Sequence, residues 1–199
     1  MGFGPLFLGI MFLYDAQIAL RHGTSDAEAY VMIDIFPDVL GWILLLVGLN
    51  SLKKRAEGFE MPFRLGGLML LLSLFSFAKD TVFFSAFYSE NVQSFAGEAV
   101  DLVIHLLELL FLLLLFRPMP ALCRKKGEDK LALSHSKVPG IIYCEGVIFL
   151  LVKLARILPL PASFDYTLAV LSRLDLIFLV FLIWYGVITM FRTMMRMSD

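Results

Sequence analysis

Residues 97–116 read GEAVDLVIHLLELLFLLLLF, a nearly continuous apolar run that carries three ionisable side chains. A helix of this length rises about 30 Å, which is enough to cross the hydrocarbon core of a bilayer. Asp101, His105 and Glu108 are spaced by four and then three residues, so they fall on one face of that helix. Ionisable groups at such depth are costly unless they face protein or water. The run therefore predicts a transmembrane helix with a buried polar face.

The composition of the chain also indicates a membrane protein. Of its 199 residues, 59% are hydrophobic, and the mean hydropathy is +0.83, whereas ordinary soluble domains are about half apolar. The formal net charge is only -1, so the basic footprint of a nucleic-acid-binding protein is missing and nucleic acid is excluded as a partner. The two cysteines, Cys123 and Cys144, are expected to stay reduced near the cytoplasmic side.

Six apolar segments predict an all-α, polytopic membrane protein with six transmembrane helices in a single domain, residues 1–199. The predicted helices cover residues 3–20, 30–52, 65–88, 97–116, 138–158 and 167–190. Pro37 leaves two alternatives for the second segment: a helix that bends at the proline, or a helix that starts there with Asp34 and Asp38 at its mouth. The long polar link 117–137 is predicted to be a cytoplasmic loop, either a solvated connector or a docking site for a protein partner.

The positions of the basic residues predict the orientation. Links 53–64 and 117–137, together with the C-terminal tail, hold twelve of the 17 lysines and arginines. By the positive-inside rule these parts face the cytoplasm, which places both termini inside. An even number of helices agrees with this N-in/C-in arrangement.

The embedded charges are predicted to lie mostly in the outer half of the membrane. Snorkelling of long side chains does not explain this asymmetry, because many members of the set are short aspartates. We therefore predict a polar cavity open to the outside, whose acidic surplus favours a small cationic or zwitterionic solute, or protons. Glu145 is the clearly embedded exception in the inner half, and it is interpreted as an interhelical contact. The predicted ligand-binding residues are Asp15, Asp34, Asp38, Lys79, Asp80, Asp101, His105, Glu108, Arg156, Arg173 and Asp175.

Three classes of function are compatible with these predictions. The first is a transporter or transporter subunit that binds its solute in the outward-facing cavity. The second is a non-transporting membrane protein whose buried ion pairs hold helices together and whose loop 117–137 recruits a partner. The third is a membrane-embedded enzyme that acts on lipid head groups. No zinc signature, P-loop, nucleophile elbow or dinucleotide fingerprint is found, so no catalytic residue, metal or cofactor is predicted.

Residues 33–42, IDIFPDVLGW, resemble the IDxxPDxxGY stretch of small multi-pass membrane proteins from Firmicutes, with Trp42 in place of the usual tyrosine. Asp15 looks like the acidic residue that those proteins often carry ahead of this stretch. The resemblance implies a location in the bacterial cytoplasmic (inner) membrane and a unit formed by Asp34, Pro37 and Asp38. In its size, six helices and outer cavity the chain is also similar to the substrate-binding subunits of energy-coupling-factor vitamin transporters, although helix one lacks their AxxxA coupling motif.

Overall fold

The protein is helical apart from one β-hairpin in the computed structural model, which describes residues 2–13, 17–22, 29–34, 38–80, 90–157 and 164–197. The six longer helices in these ranges correspond to the six predicted segments, and one short helix is additional. In chain order the elements are α1 (Phe3–Leu13), β1 (Gln17–His22), β2 (Ala29–Asp34), α2 (Asp38–Lys53), α3 (Glu60–Asp80), α4 (Glu90–Phe116), α5 (Met119–Lys125), α6 (Asp129–Ile157) and α7 (Asp165–Met197).

Three helical stretches in the described ranges are long and apolar enough to cross a membrane. They are Leu102–Lys125, Asp129–Ala155 and Tyr166–Met197, with mean hydropathies of 2.1, 1.9 and 2.3. Only 28%, 22% and 22% of their most apolar windows is buried within the protein. Apolar surface exposed on this scale is typical of contact with lipid.

The first two predicted segments differ from the structure at their facing ends. The helix predicted over 3–20 ends at Leu13, and the helix predicted over 30–52 begins at Asp38, directly after Pro37 in the sequence. Between them lies an antiparallel hairpin that pairs Gln17 with Asp34 and His22 with Ala29. The sequence of β2, AYVMID, is rich in aromatic and β-branched residues that favour strands over helices. The alternative of a helix that bends at Pro37 is therefore wrong, because β2 rather than a helix covers Ala29–Asp34.

Glycines bring α1 and α2 into backbone contact. A Cβ atom on Gly9 would lie 2.7 Å from the Leu45 nitrogen and 2.8 Å from the Gly41 oxygen. A Cβ atom on Gly48 would lie 2.6 Å from the Gly2 oxygen. These contacts run in opposite directions along the two helices, which are therefore antiparallel. Any larger residue would force the helices apart.

The predicted loop 117–137 is largely helical in the structure, so its prediction as a loop is wrong. Helix α5 buries Met119 and Cys123, and α6 starts at Asp129 rather than at the predicted residue 138. A Schellman motif ends α5: the Glu128 and Gly127 N–H groups donate to the carbonyls of Cys123 and Arg124, and Gly127 has a φ of 77°.

The core joins the two halves of the chain. Helix α6 packs against α4, α5 and α7, while α1 packs against both α2 and α7. Trp42 of α2 meets Phe111 of α4 edge to face, with ring centroids 4.9 Å apart. This arrangement places the polar face of α4 between α6 on one side and α2 and α3 on the other.

Candidate functional site

The candidate site is centred on a hydrogen bond between α4 and α6. His105 Nε2 lies 3.0 Å from Glu145 Oε1, and both residues lie near the middle of their helices. Gly146 allows the close approach beside this bond, because a Cβ atom there would lie only 3.2 Å from the Leu109 side chain. The two helices are thus joined at mid-height by an imidazole–carboxylate pair.

His105 has a carboxylate near each of its ring nitrogens. On the side opposite Glu145, Nδ1 lies 3.8 Å from Glu108 Oε2, which is within ion-pair distance but longer than a hydrogen bond. Phe149, one turn beyond Glu145 on α6, lies against the imidazole with ring centroids 3.9 Å apart. This contact fixes the orientation of the imidazole ring, so that Nε2 lies toward Glu145 and Nδ1 lies toward Glu108.

Glu145 is the most deeply buried acid of the site. Its side chain is 1% exposed, and Oε2 has no hydrogen-bond partner among the described residues. A buried carboxylate is tolerated when it is paired with a cation or when it carries a proton. His105 is the partner of Glu145 among the described residues, at 3.0 Å from Oε1.

A small cavity lies beside Glu108. It has a volume of about 50 Å³, and its polar lining residues are Asp38, Ser73 and Glu108. The apolar part of the lining comes from Trp42, Met69, Leu72 and Ile104. Sites for drug-sized ligands measure about 300 to 1,000 Å³, whereas a water molecule occupies about 30 Å³ of liquid. The cavity matches a few waters or one small ion.

The predicted set is brought together only in part. His105, Glu108 and Asp38 converge as described, and Asp175 of α7 acts electrostatically on the His105 ring. Arg173 is exposed. Asp15 and the side chains of the remaining predicted residues lie outside the described part of the structure: Asp34, Lys79, Asp80, Asp101 and Arg156.

A second buried histidine lies outside this cluster. His135 of α6 is 0% exposed, and its Nε2 lies 2.7 Å from Thr193 Oγ1 of α7. The Thr193 hydroxyl itself donates to the Thr189 carbonyl, so His135 Nε2 is the donor in the first bond. No described carboxylate forms a salt bridge with His135. This histidine links helices without an acid partner.

The prediction that Glu145 forms an interhelical contact is confirmed by its bond to His105. The identity of that partner was not predicted, because α6 begins at Asp129 rather than at residue 138 and Glu145 therefore lies near the middle of the helix. The available signal was the amphipathic run DKLALSHSK ahead of Pro139, which extends the helix by more than two turns.

Among the described residues, no group of three or more histidine, cysteine or acidic side chains is placed to hold a metal ion. A scan against protein-family models finds no match, and neither the curated proteins nor the solved structures contain a match to this chain. Both family resemblances therefore stay predictions, and the site has to be interpreted from its own geometry.

Proposed function

We propose that the chain is an integral membrane protein that binds and releases protons within the bilayer, as a transporter or a transporter subunit. The three long apolar helices and their exposed apolar surfaces support the membrane location. Six membrane passes, an N-in/C-in orientation and a place in the bacterial inner membrane belong to the same proposal. They are supported by the distribution of basic residues and by the resemblance of residues 33–42.

The observation that carries the proposal is the sequence of groups Glu145, His105 and Glu108. An imidazole accepts a proton at one nitrogen and releases one from the other, which suits it to pass protons between two acids. Here Nε2 meets the buried Glu145, and Nδ1 faces Glu108, which lines the cavity. Across the 3.8 Å gap a proton passes when Glu108 moves closer or a water bridges the two groups.

The size of this cavity suits protons and water rather than larger solutes, while most side chains at the outer helix ends, where the wider cavity is predicted, lie outside the described residues. A volume of about 50 Å³ is below the range of sites that enclose organic ligands. The acids Asp38 and Glu108 on its wall attract positive charge. The cation delivered to this site is therefore a proton, carried by a few water molecules.

Infrared difference spectra between acidic and neutral buffer test proton binding directly on the purified protein. We expect a band from a buried protonated carboxyl group that Glu145→Gln removes and His105→Gln shifts. His135→Gln is the matched control, since it also removes a histidine side chain but leaves the pair of His105 and Glu145 intact. An unchanged spectrum for Glu145→Gln contradicts the proposal.

Proton flux in liposomes tests the transport part. With an imposed membrane potential, we expect His105→Gln and Glu145→Gln to lower the flux at least about tenfold, as expected for loss of a positioned acid or base. His135→Gln should retain most of it. If all three variants lower only the thermal stability and leave flux and spectra unchanged, the pair is structural and the second class of function is correct.

A further inference from the structure

We propose that the exposed bases of α5 bind the head groups of anionic phospholipids. Arg124, Lys125 and Lys126 follow one another at the C-terminal end of this helix, and all three are exposed. Arg117, at the end of α4, is exposed beside them. The inference rests on the membrane location in the proposed function, but it does not depend on proton binding.

The position of α5 is fixed from its inner side. Met119 and Cys123 are both 0% exposed, and Cys123 Sγ contacts Met197 Sδ of α7 at 3.9 Å. On another side, a Cβ atom on Gly58 would lie 2.9 Å from the Pro118 ring, so the link between α2 and α3 also packs here. The bases therefore stand on a firmly packed support rather than on a mobile loop.

The bases lack counterions within the described part of the chain. The nearest acid in sequence, Glu128, is engaged by Arg196 at 2.8 Å, and none of Arg124, Lys125 and Lys126 forms a salt bridge with a described residue. Positive charge without an internal partner is available to an external anion. The C-terminal end of α5 stabilises the bases themselves and does not attract the anion, because the helix dipole favours cations there.

The location of the exposed bases of α5 indicates that the external anion is a phospholipid. The stretches Leu102–Lys125 and Tyr166–Met197 end at this face of the molecule, and Asp129–Ala155 begins there. The bases thus lie where apolar helix surface gives way to water, at the depth of lipid head groups. Exposed apolar side chains nearby, Leu133 at 61% and Met195 at 64%, suit acyl chains. Basic residues that directly adjoin membrane spans attract anionic lipids.

Lipid-dependent thermal unfolding of the full-length protein in nonionic-detergent micelles tests the inference. We expect phosphatidylglycerol to raise the melting temperature saturably, and phosphatidylcholine and soluble glycerol phosphate to have much smaller effects. Each base near a lipid surface contributes a factor of about five in affinity. The double variant R124Q/K125Q should therefore weaken the apparent affinity for phosphatidylglycerol roughly 25-fold.

The control is R173Q, which removes an exposed base from the half of α7 that lies away from α5. It should leave the apparent affinity unchanged, whereas R124Q alone should weaken it about fivefold, and R124K/K125R should bind as the wild type does. Equal losses for R173Q and R124Q, an equal response to phosphatidylcholine, or an equal response to glycerol phosphate would overturn the inference. Glu145→Gln should keep the full lipid response, so failure of proton binding is distinguishable from failure of lipid binding.

Discussion

His105 holds the position of greatest chemical consequence, because each of its nitrogens faces an acid on a different side. The Nε2 bond to Glu145 is direct, and the Nδ1 contact with Glu108 is longer by 0.8 Å, from 3.0 to 3.8 Å. A proton on this ring is therefore held more strongly toward α6 than toward the cavity. Movement of Glu108 changes that preference, whereas Glu145 is fixed by its burial.

Two substitutions of Glu145 separate the loss of its carboxyl group from the loss of its hydrogen bond to His105. Glu145→Gln keeps an amide oxygen and nitrogen that bond to His105, so the loss of stability should stay below about 1 kcal/mol. Glu145→Ala leaves His105 Nε2 without its partner on α6 and should cost about 1 to 3 kcal/mol. Thermal unfolding in detergent measures both values, and both variants should lose the carboxyl band. A larger loss of stability for Gln than for Ala would contradict this account.

The sequence predicted two of the three site residues in this cluster, His105 and Glu108. The spacing of His105 and Glu108 alone places both on one helix face, and the structure confirms that pair. Their partner Glu145 depends on the depth at which another helix crosses, and depth depends on where α6 begins. A helix start in a polar run that contains a proline is decided by packing, here the burial of Leu131 and His135. Local sequence therefore did not predict it.

At the scale of elements, the closest helix contact depends on residues that carry no side chain. Gly2 and Gly9 recur at a spacing of seven residues, and so do Gly41 and Gly48. Seven residues are nearly two helical turns, so each pair lies on one face. This repeat was visible in the sequence, but only the structure shows that the two faces meet.

Alanine substitution in this contact should be destabilising. A Cβ atom on Gly48 would overlap backbone atoms of Gly2 and Leu6, so Gly48→Ala should cost about 1 to 3 kcal/mol as overpacking. Gly67→Ala in α3 is the matched control, because a Cβ atom there has no neighbour within 4 Å. That change should be neutral or stabilising by up to about 1 kcal/mol. Chemical unfolding measures the difference, and equal effects would show that α1 and α2 separate freely.

For the molecule as a whole, the sequence predicted a helical membrane protein, and the described residues contain three helical stretches with the length and hydropathy needed for a span. Helix α1, with 11 residues, and helix α2, with 16, are each shorter than a straight crossing requires. The hydropathy of residues 3–20 did not distinguish a helix from a helix followed by a strand, because apolar content is similar in both.

Cysteine labelling tests the proposed orientation. In a chain whose two native cysteines are replaced by alanine, we expect Glu57→Cys and Lys126→Cys to react with a membrane-impermeant maleimide only after the cells are opened. Phe164→Cys, exposed at 48%, should react in intact cells, since it lies ahead of α7 at the opposite end. Labelling of Glu57→Cys and Phe164→Cys from the same side would contradict the six-pass arrangement.

The glycine contact between α1 and α2 also limits how the cavity can change its volume. Backbone atoms meet at Gly9 and Gly48, with the buried Leu45 and Leu6 side chains packed beside them, so the two helices slide or tilt together. Trp42 and Asp38, which line one wall of the cavity, belong to this stiff two-helix unit. The number of waters beside Asp38 and Glu108 therefore changes when α3 and α4, which form the other wall of the cavity, move relative to α1 and α2.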